Sequence, residues 1–385
     1  MLPFVSFLLH IYVGARLLPA LTAWPAVFAL LLAALVLSAY LMPMGIGFGA
    51  RRPTIRRGAS DPIIWLGWAG MGLFSSLLVL TAARDVVLLI SMAAAWFMPG
   101  AIDAEALRRW SALGVSLLGF GVTLLGFANA RRTAAVVMVD VPIDGLPSAL
   151  HGFRIAQISD IHIGPTIRRN YLRRIVAAVN RLQADMVAIT GDLVDGSVTE
   201  LAAHVAPLAD LSSRHGTYFV TGNHEYYSGA DAWIAQLRKL GIRVLLNSHI
   251  VLRHGDSRSG TDALAVVAGV TDYNAGHFDP AHRTDPQAAM AGAPGNAGVR
   301  LLLAHQPRSA EAAAAAGFDL QLSGHTHGGQ FLPWNFFVRF QQPFVAGLHR
   351  LKNLWVYTSR GTGYWGPPKR FGAPSEITLL RLVTA

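Results

Sequence analysis

Long apolar runs dominate the first third of the sequence. The three strongest contain no charged residue and cover residues 21–42, 63–83 and 110–130. Each is about 20 residues long, which is enough for a helix to cross the hydrocarbon core of a bilayer. Two weaker runs cover residues 2–18 and 86–98, the second of which is short. The pattern predicts an all-α, multi-pass membrane region of four or five transmembrane helices within residues 1–132.

The run at residues 2–18 has a second interpretation as a secretory signal peptide. Signal peptides begin with a basic segment, whereas no Lys or Arg precedes this run, which is itself interrupted by His10 and Arg16. Further apolar runs also follow it. We therefore favour a membrane helix over a signal peptide here.

From residue 153 the pattern changes to short apolar runs separated by polar segments. Such runs, bounded by turn-forming residues, are typical of buried strands. They predict strands at residues 153–158, 186–189, 217–220, 244–246, 264–267, 299–303, 318–322, 354–358 and 377–382. Helical spacing of apolar residues, or a run of Ala, predicts helices at residues 168–182, 200–211, 230–240 and 309–316. The alternation predicts an α/β domain over residues 151–385, with a connector at residues 133–150.

Two features modify this pattern. Pro207 lies inside the second predicted helix of the α/β domain, and proline removes a helical hydrogen bond, so we expect a kink or break there. Residues 272–298 are rich in Gly, Pro, Asp and His and predict a long loop. We expect this loop to lie over the functional site.

The composition narrows the class of protein. Hydrophobic residues make up 52% of the chain and charged residues only 14%, below the usual quarter. The net charge is +10, and residues 1–132 contribute ten Arg and no Lys against four acidic residues. Because these arginines lie between apolar runs and form no stripe with aromatic residues, the charge indicates membrane orientation rather than nucleic-acid binding. The chain contains no cysteine, which excludes disulfides, zinc–thiolate sites and cysteine nucleophiles.

The basic segments leave the orientation of the α/β domain open. Four arginines make residues 49–58 the densest basic loop, which predicts a cytoplasmic location for that loop. If residues 86–98 cross the membrane, the α/β domain lies outside, and if they do not, it lies inside. The arginine pair at residues 131–132 favours an inside location of the α/β domain, and the pair at residues 108–109 favours an outside location.

Several predicted strands end in a short polar segment that contains metal-binding side chains. These segments read DIH from residue 160, GDLVD from 191, GNHE from 222, AHQP from 304 and GHTH from 324. An α/β sheet places its binding site at the carboxyl ends of its strands. The candidate ligands are Asp160, His162, Asp192, Asn223, His305, His325 and His327.

The chemistry of these side chains points to a two-metal centre. Carboxylate, amide and imidazole ligands without sulfur favour Mn²⁺, Fe or Zn²⁺ over Ca²⁺ or Mg²⁺, and Mn²⁺ is our first choice. Seven ligands suit two ions that share a bridging carboxylate. Two ions about 3.5–4 Å apart would clamp a phosphate and activate the attacking water. His224 adjoins Asn223 and is a candidate general acid for the leaving oxygen.

These segments resemble the calcineurin-like metallophosphoesterases. That superfamily has, in order, Asp-x-His, Gly-Asp-x-x-Asp, Gly-Asn-His-Asp/Glu, a lone His and Gly-His-x-His, and all five are present here in that order. GGQ after residue 327 and RGTGYW from residue 360 resemble a membrane-associated branch, typified by transmembrane metallophosphoesterases and bacterial YaeI/YkuE-type phosphodiesterases. The resemblance covers residues 150–385 and implies a four-layer α/β/β/α sandwich.

The resemblance also implies residue roles. One metal would be bound by Asp160, His162 and His327 and the other by Asn223, His305 and His325, with Asp192 bridging both. His224 would serve catalysis. The second Asp of the second block is Asp195, which is expected to orient a ligand. Family members often have Asp at the position of Glu225, which we interpret as a tolerated change behind the ligands.

We therefore predict a membrane-anchored phosphoesterase with two divalent metal ions that hydrolyses a phosphodiester or pyrophosphate bond. The membrane region favours a lipid-linked substrate, and family resemblance makes a UDP-diacylglucosamine-type pyrophosphate one candidate, which would require an inward-facing site. Aromatic residues crowd the segment after the last block: Trp334, Phe336, Phe337, Phe340 and Phe344. They have two interpretations. They either pack in the core or against the membrane, or they form a groove for an acyl chain.

Two other classes of protein compete with this prediction. A membrane sensor or scaffold could use the same fold without turnover, but such a protein is expected to have lost ligands, and none is missing. A transporter with an attached hydrolase is disfavoured because the predicted spans carry few charges of the kind that mark a transport path. We expect a protein of the inner or plasma membrane whose partners are the bilayer and a phosphoester substrate, with no nucleic acid.

Overall fold

The computed structural model describes residues 2–51, 61–256 and 262–385. The chain divides into two compact units. The helical unit consists of residues 1–131 and 366–371, and the α/β unit of residues 132–365 and 372–385. Most of the basic loop predicted at residues 49–58 lies outside the described residues.

The helical unit contains four described helices that are long and apolar enough to cross a membrane. They are α1 (Leu2–Leu17), α2 (Pro25–Arg51), α3 (Asp61–Phe97) and α4 (Ala104–Arg131). Leu31 and Phe74 pack in the interior, whereas Leu30 and Leu89 are exposed. Helices that are apolar all round are typical of membrane spans.

The apolar runs predicted within residues 63–98 form one continuous helix, α3, rather than two. In the sequence, Arg84 and Asp85 separate these runs. The guanidinium group of Arg84 is buried and donates to the hydroxyl of Ser111, and Asp85 pairs with Arg16 of α1. Because neighbouring helices satisfy both charges, α3 continues through the charged pair without a loop.

Residues 366–371 belong to the helical unit although they come late in the sequence. The ammonium group of Lys369 donates to the carbonyl oxygen of Gly72 and to the hydroxyl of Ser76. A Cβ at Gly126 would lie 2.7 Å from the Lys369 side chain, so this glycine makes room for the lysine. The helices therefore hold the segment by polar contacts that no local sequence pattern predicts.

The α/β unit contains two six-stranded sheets in the described part of the chain. Its strands are β1 (Ala135–Ile143), β2 (Arg154–Ile158), β3 (Met186–Ile189), β4 (Thr217–Phe219), β5 (Arg243–Val244), β6 (Ser248–His254), β7 (Ala263–Gly269), β8 (Val299–Leu303), β9 (Leu320–Ser323), β10 (Gly347–Leu351), β11 (Leu354–Thr358) and β12 (Glu376–Thr384). The first sheet has the order β1-β12-β2-β3-β4-β5 and the second β10-β11-β9-β8-β7-β6. Strands β2 to β5 are parallel, as are β7, β8, β9 and β11.

Helices surround the two sheets. They are α5 (Arg169–Asn180), α6 (Val198–Val205), α7 (Asn223–Ser228), α8 (Ala230–Lys239), α9 (Pro286–Met290), α10 (Ala310–Ala315) and α11 (Asn335–Val338). The main core lies between the sheets, where Ile155 meets Leu301, while the adjacent Leu302 points outward and packs with Ala313 of α10. Helix α5 likewise buries Ile175. The predicted α/β/β/α architecture is confirmed.

The structure refines three local predictions. Helix α6 ends at Val205 and a 3-10 turn with Pro207 follows, which confirms the predicted break. The loop at residues 272–298 is less irregular than expected, because it contains α9 and two short 3-10 turns. Residues 133–150, expected to be a connector, instead contain β1, which pairs in parallel with β12 along its whole length. Its partner lies at the other end of the sequence, so no local pattern reveals the pairing.

Candidate metal centre

Five polar segments meet where parallel strands of the two sheets end. Each supplies a candidate ligand shortly after its strand: Asp160 after β2, Asp192 after β3, Asn223 after β4, His305 after β8 and His325 after β9. The carboxyl ends of parallel strands lie at one edge of a sheet, which brings these residues together. All five are buried or nearly so.

The His and Asp side chains form three groups whose potential ligand atoms lie within 4.8 Å of one another. The groups are Asp160, His162 and His327; Asp192, His305 and His325; and His162, Asp192 and His224. In the first group, the Nε2 atoms of His162 and His327 are 3.1 Å apart. In the second, Nε2 of His305 lies 3.1 Å from Oδ2 of Asp192 and 3.2 Å from Nδ1 of His325. Asp192 and His162 each belong to two groups, so these two side chains join the three groups to one another.

Hydrogen bonds on the outer side of the imidazoles orient their inner nitrogens. Nδ1 of His162 lies 3.1 Å from the carboxylate of Asp195, and Nδ1 of His305 lies 2.7 Å from the carbonyl oxygen of Thr190. An Nδ1 atom that donates to oxygen leaves Nε2 as a lone-pair ligand. When either ring is neutral, as it must be to bind a metal ion, its Nε2 lone pair is therefore directed into the centre.

The amide of Asn223 also fits a metal ligand. Its side-chain oxygen Oδ1 is buried and has no hydrogen-bond partner in the described part of the structure. Burial of a polar oxygen without a partner costs about 1–3 kcal/mol, so such an atom calls for an explanation. A cation bound beside Asn223 provides one.

Strained backbone is concentrated in this centre. Of nine described non-glycine residues with positive φ, five are candidate ligands: Asp160, His162, Asp192, His325 and His327. Each such position costs about 1–3 kcal/mol and persists only when its surroundings fix it. The fold therefore holds these five residues in a strained backbone conformation, and in that conformation their side chains converge.

Glycines of two motifs make room for a candidate ligand. A Cβ at Gly324 would collide with Asp160 and Ser159, and a Cβ at Gly222 would collide with Asp192. The backbone N–H of His325 then donates to Asp160 at 2.9 Å. The Gly-His-x-His segment thus packs directly against the first ligand.

Glu225 ties two of the segments together. Its carboxylate accepts from the backbone N–H groups of Gly222 at 2.6 Å, Leu193 at 2.8 Å and Asp192 at 3.0 Å. Burial and the charge of Asp192 raise the pKa of Glu225 to about 8, against the effect of these hydrogen bonds. A carboxyl group at this position therefore fixes the loop that carries Asp192.

The charges of the centre are poorly balanced without cations. Burial raises the pKa of Asp160, and the neighbouring charge of Asp192 raises it further. Burial and the positive charge of His305 lower the pKa of His325 to about 3, which keeps this ring in its neutral, ligand-competent form. Buried carboxylates at such short distances require positive charge nearby. Divalent cations fit this requirement.

The ring of His224 is partly open, with a side-chain exposure of 16%. Its Nδ1 lies 2.6 Å from Oδ1 of Asp195, and its Nε2 lies 4.0 Å from Oδ2 of Asp192. Burial lowers its pKa, but the charges of Asp192 and Asp195 raise it more, to about 9. His224 is therefore suited to hold a proton that faces the centre, and bound cations would reduce its pKa.

Two aromatic side chains flank the His224 ring. The rings of Tyr227 and Trp365 lie edge-on to it, with centroids at 5.2 and 5.7 Å, and both are exposed. The side-chain amide of Gln330 holds Trp365 in place by donating to its carbonyl oxygen at 2.8 Å and accepting from its N–H at 2.9 Å. These contacts join the GGQ segment to the RGTGYW segment.

Sequence reasoning missed two residues behind the ligands. The buried carboxylate of Asp272 accepts from the side-chain amide of Gln306 at 3.0 Å, and Gln306 adjoins His305. A signal was present, because Asp272 follows the parallel strand β7 as the ligands follow theirs. Arg360, by contrast, lies outside this set and pairs with the buried carboxylate of Glu376 at 2.8 Å.

Comparisons with known proteins agree with this geometry. A sequence-family model described as calcineurin-like phosphoesterase matches residues 153–329. Two relatives described as transmembrane protein with metallophosphoesterase domain are each 39% identical: one from Danio rerio over 69% of this chain and 61% of its own length, and one from Bos taurus over 76% and 67%. A Campylobacter jejuni protein described as an uncharacterized metallophosphoesterase is 37% identical over 70% of this chain and 69% of its own length.

The chain thus spans about three fifths of the Danio rerio relative and about two thirds of the other two. The identity and coverage of the bacterial relative are sufficient to assign the family. This chain belongs to the calcineurin-like metallophosphoesterases.

Proposed function

We propose that this protein is a membrane-anchored, two-metal phosphoesterase that hydrolyses a phosphodiester or pyrophosphate bond. The observation that carries the proposal is the convergence of three His/Asp groups, linked through Asp192 and His162, beside a partly open His224. Residues 1–132 serve as the anchor and residues 151–385 carry the chemistry.

The ligand assignment follows the groups of side chains. We assign one ion to Asp160, His162 and His327 and the other to Asn223, His305 and His325, with Asp192 between them. When bound, two divalent cations supply Lewis-acid polarisation of the phosphoryl group and activation of water. Imidazole, amide and carboxylate ligands suit Mn²⁺, Fe or Zn²⁺, and we favour Mn²⁺.

We assign His224 the role of general acid. Because its Nδ1 is bonded to Asp195, its Nε2 proton is the one available to the substrate. This proton passes to the leaving oxygen as the bond between phosphorus and that oxygen breaks, and the neutral ring then regains a proton from solvent. Asp195 stabilises the protonated ring before the transfer. Tyr227 and Trp365 flank the acid and favour a leaving group with an apolar or planar part.

We also propose that the α/β unit faces the cytoplasm. Because α3 is a single helix, two membrane-length helices, α3 and α4, separate the basic loop at residues 49–58 from that unit. An even number of crossings returns the chain to the side of the loop, which the arginines assign to the cytoplasm. An inward-facing site is what a UDP-diacylglucosamine-type, lipid-linked pyrophosphate requires.

The orientation can be tested because the chain lacks cysteine. Single cysteines would be placed at Lys352, an exposed position of the α/β unit, and at Ala101, between α3 and α4. On intact cells, a membrane-impermeant maleimide is expected to label Ala101→Cys and to label Lys352→Cys only after lysis. Labelling of Lys352→Cys on intact cells would reverse the orientation.

The activity can be tested on the full chain in detergent. Metal-stripped protein would be supplied with Mn²⁺ and assayed with bis-p-nitrophenyl phosphate and p-nitrophenyl phosphate. We expect metal-dependent turnover of the diester that is lost in Asp192→Ala and kept in Asp210→Ala, which removes an exposed carboxylate. Turnover that persists in Asp192→Ala, or that needs no metal, would refute the proposal.

A further inference from the structure

Five large apolar side chains lie exposed directly after the last pair of candidate ligands. They form the aromatic patch: Leu332, Trp334, Phe336, Phe337 and Phe340, with exposed fractions of 40%, 41%, 54%, 54% and 79%. Ring contacts join Trp334 to Phe337 at 5.8 Å and Phe337 to Phe340 at 6.4 Å. These residues therefore fill neither a core nor a closed groove. Phe344 is different, because it packs against the ring of His349 at 5.0 Å.

The aromatic patch is attached firmly to the segment that carries His325 and His327. Helix α11 lies in the middle of the patch, and a Cβ at Gly329 would collide with Asn335 at its start. Leu332 also packs on Gly372, where a Cβ would lie 2.7 Å from its side chain. The patch is thus a fixed extension of the metal-binding segment.

The charge around the aromatic patch is positive. The guanidinium group of Arg339 lies 6.0 Å from the ring of Phe336, and Arg308 donates to the carbonyl oxygen of Gln341 at 2.6 Å. Both arginines are exposed, and residues 330–342 contain no Asp or Glu. Exposed Trp and Phe beside Arg are the composition that binds the interface of an anionic bilayer.

We propose that the aromatic patch is a membrane-docking surface that inserts into the headgroup region of an anionic bilayer. The chain itself carries four helices of membrane length, so the bilayer is always present at high effective concentration. Apolar surface of this kind on a soluble face marks an interaction site. An anionic bilayer can bind both the aromatic side chains of the patch and the arginines beside it. An acidic protein partner would bind only the arginines.

Docking would place the metal-binding segment at the depth of lipid headgroups. His327 precedes the patch by five residues, so a phosphate attached to a lipid could reach the centre from the bilayer surface. This consequence rests on the proposed phosphoesterase function, but docking itself does not. A binding measurement that needs no turnover therefore separates the two.

The test uses spin labels on the full chain in nanodiscs that contain anionic lipid. Because the chain has no cysteine, Phe337→Cys and Phe340→Cys each give a single label site, and Val251→Cys is a matched control at an exposed apolar residue of β6. Labels at 337 and 340 are expected to be more accessible to oxygen and less accessible to a water-soluble nickel complex than the label at 251. Two sites guard against a local perturbation by one substitution.

Two results would overturn the proposal. Equal nickel accessibility at 337, 340 and 251 would mean that the aromatic patch stays in water. The labels at 337 and 340 could instead be protected from the nickel complex and also show spin–spin broadening that disappears on dilution with unlabelled chain. That result would mean that a second copy of the chain covers the patch.

Discussion

His224 and Asp195 are joined by a 2.6 Å hydrogen bond between the ring Nδ1 and the carboxylate Oδ1. The same carboxylate oxygen lies 3.1 Å from Nδ1 of His162. One carboxylate therefore orients both the candidate acid and a candidate metal ligand. Hydrogen bonds to these histidines, together with their charges, lower the pKa of Asp195 although its burial raises it. Asp195 thus remains ionised, and we propose that it links metal binding at His162 to proton transfer at His224.

This shared carboxylate predicts that a single substitution at Asp195 lowers the rate of hydrolysis strongly. Asp195→Asn keeps the shape of the side chain but removes the charge that holds both rings. We expect kcat to fall about 10–100-fold, the range found when the group behind a metal-binding histidine is removed. Steady-state kinetics with the diester would measure it, and Asp210→Asn is the control. A kcat equal to that of the unmodified chain would contradict the role of Asp195.

The proposed acid predicts a dependence on the leaving group. p-Nitrophenolate leaves without a proton, whereas an alkoxide does not. His224→Ala is therefore expected to slow hydrolysis of an alkyl phosphodiester by about 10²–10⁴-fold and that of the p-nitrophenyl diester much less. The check is the slope of rate against leaving-group pKa in the two proteins. Equal losses for good and poor leaving groups would assign His224 to binding rather than to proton transfer.

The close contact at Gly324 predicts a steric effect on the metal centre. A Cβ there would collide with Asp160, whereas a Cβ at Gly295 would meet nothing within 4 Å. Gly324→Ala is expected to destabilise the segment by about 1–3 kcal/mol, as overpacking does, and to weaken Mn²⁺ binding. Calorimetric titration with Mn²⁺ would measure it, with Gly295→Ala expected to bind normally. Normal binding by Gly324→Ala would contradict the packing.

A pair of histidines away from the metal centre predicts acid sensitivity. Nε2 of His215 lies 3.0 Å from Nδ1 of His254. Burial lowers the pKa of both rings, and the charge of Arg214 lowers it further, against the opposing effect of Asp185. Below the ordinary histidine pKa of about 6.5, the unfolded state therefore binds more protons than the folded state. This contribution to stability is complete above that pH and is lost as the pH falls through the lowered values.

The check is the unfolding midpoint of the full chain in detergent from about pH 8 to pH 5, the range in which histidines titrate. Replacement of both His215 and His254 by Gln is expected to reduce the loss of stability at acid pH. His277→Gln, at an exposed position, serves as the control. An unchanged pH dependence in the double variant would show that the pair does not carry the effect.

The sequence predicts which polar side chains come together because the candidate ligands follow buried strands, and both residue type and strand order can be read from the sequence. The same logic extends to Asp272, which follows β7. The long-range contacts are different. Nothing local reveals that Arg84 donates to Ser111 and thereby keeps α3 in one piece. The sequence therefore left four or five membrane helices open, and the structure has four described helices of that length.

Other features also depend on partners distant in sequence. Strand β1 exists because β12 pairs with it, and Trp365 stands beside His224 because Gln330 holds its backbone. The exposure of Phe337 depends on how α11 leaves the metal-binding segment, which hydrophobicity alone does not reveal. The sequence left open whether Phe337 packs in the core, faces the membrane or lines a groove, and the structure places it on the surface.

The most direct test of the account is a titration of the metal-free full chain with Mn²⁺, followed by electron paramagnetic resonance and by diester hydrolysis in the same samples. The central claim is that Asp192 lies between two cations. We predict that activity rises with an exchange-coupled signal that is complete at two Mn²⁺ per chain, and that Asp192→Ala gives only isolated Mn²⁺ signals without turnover. Full activity with one Mn²⁺ per chain and no coupling would contradict the account.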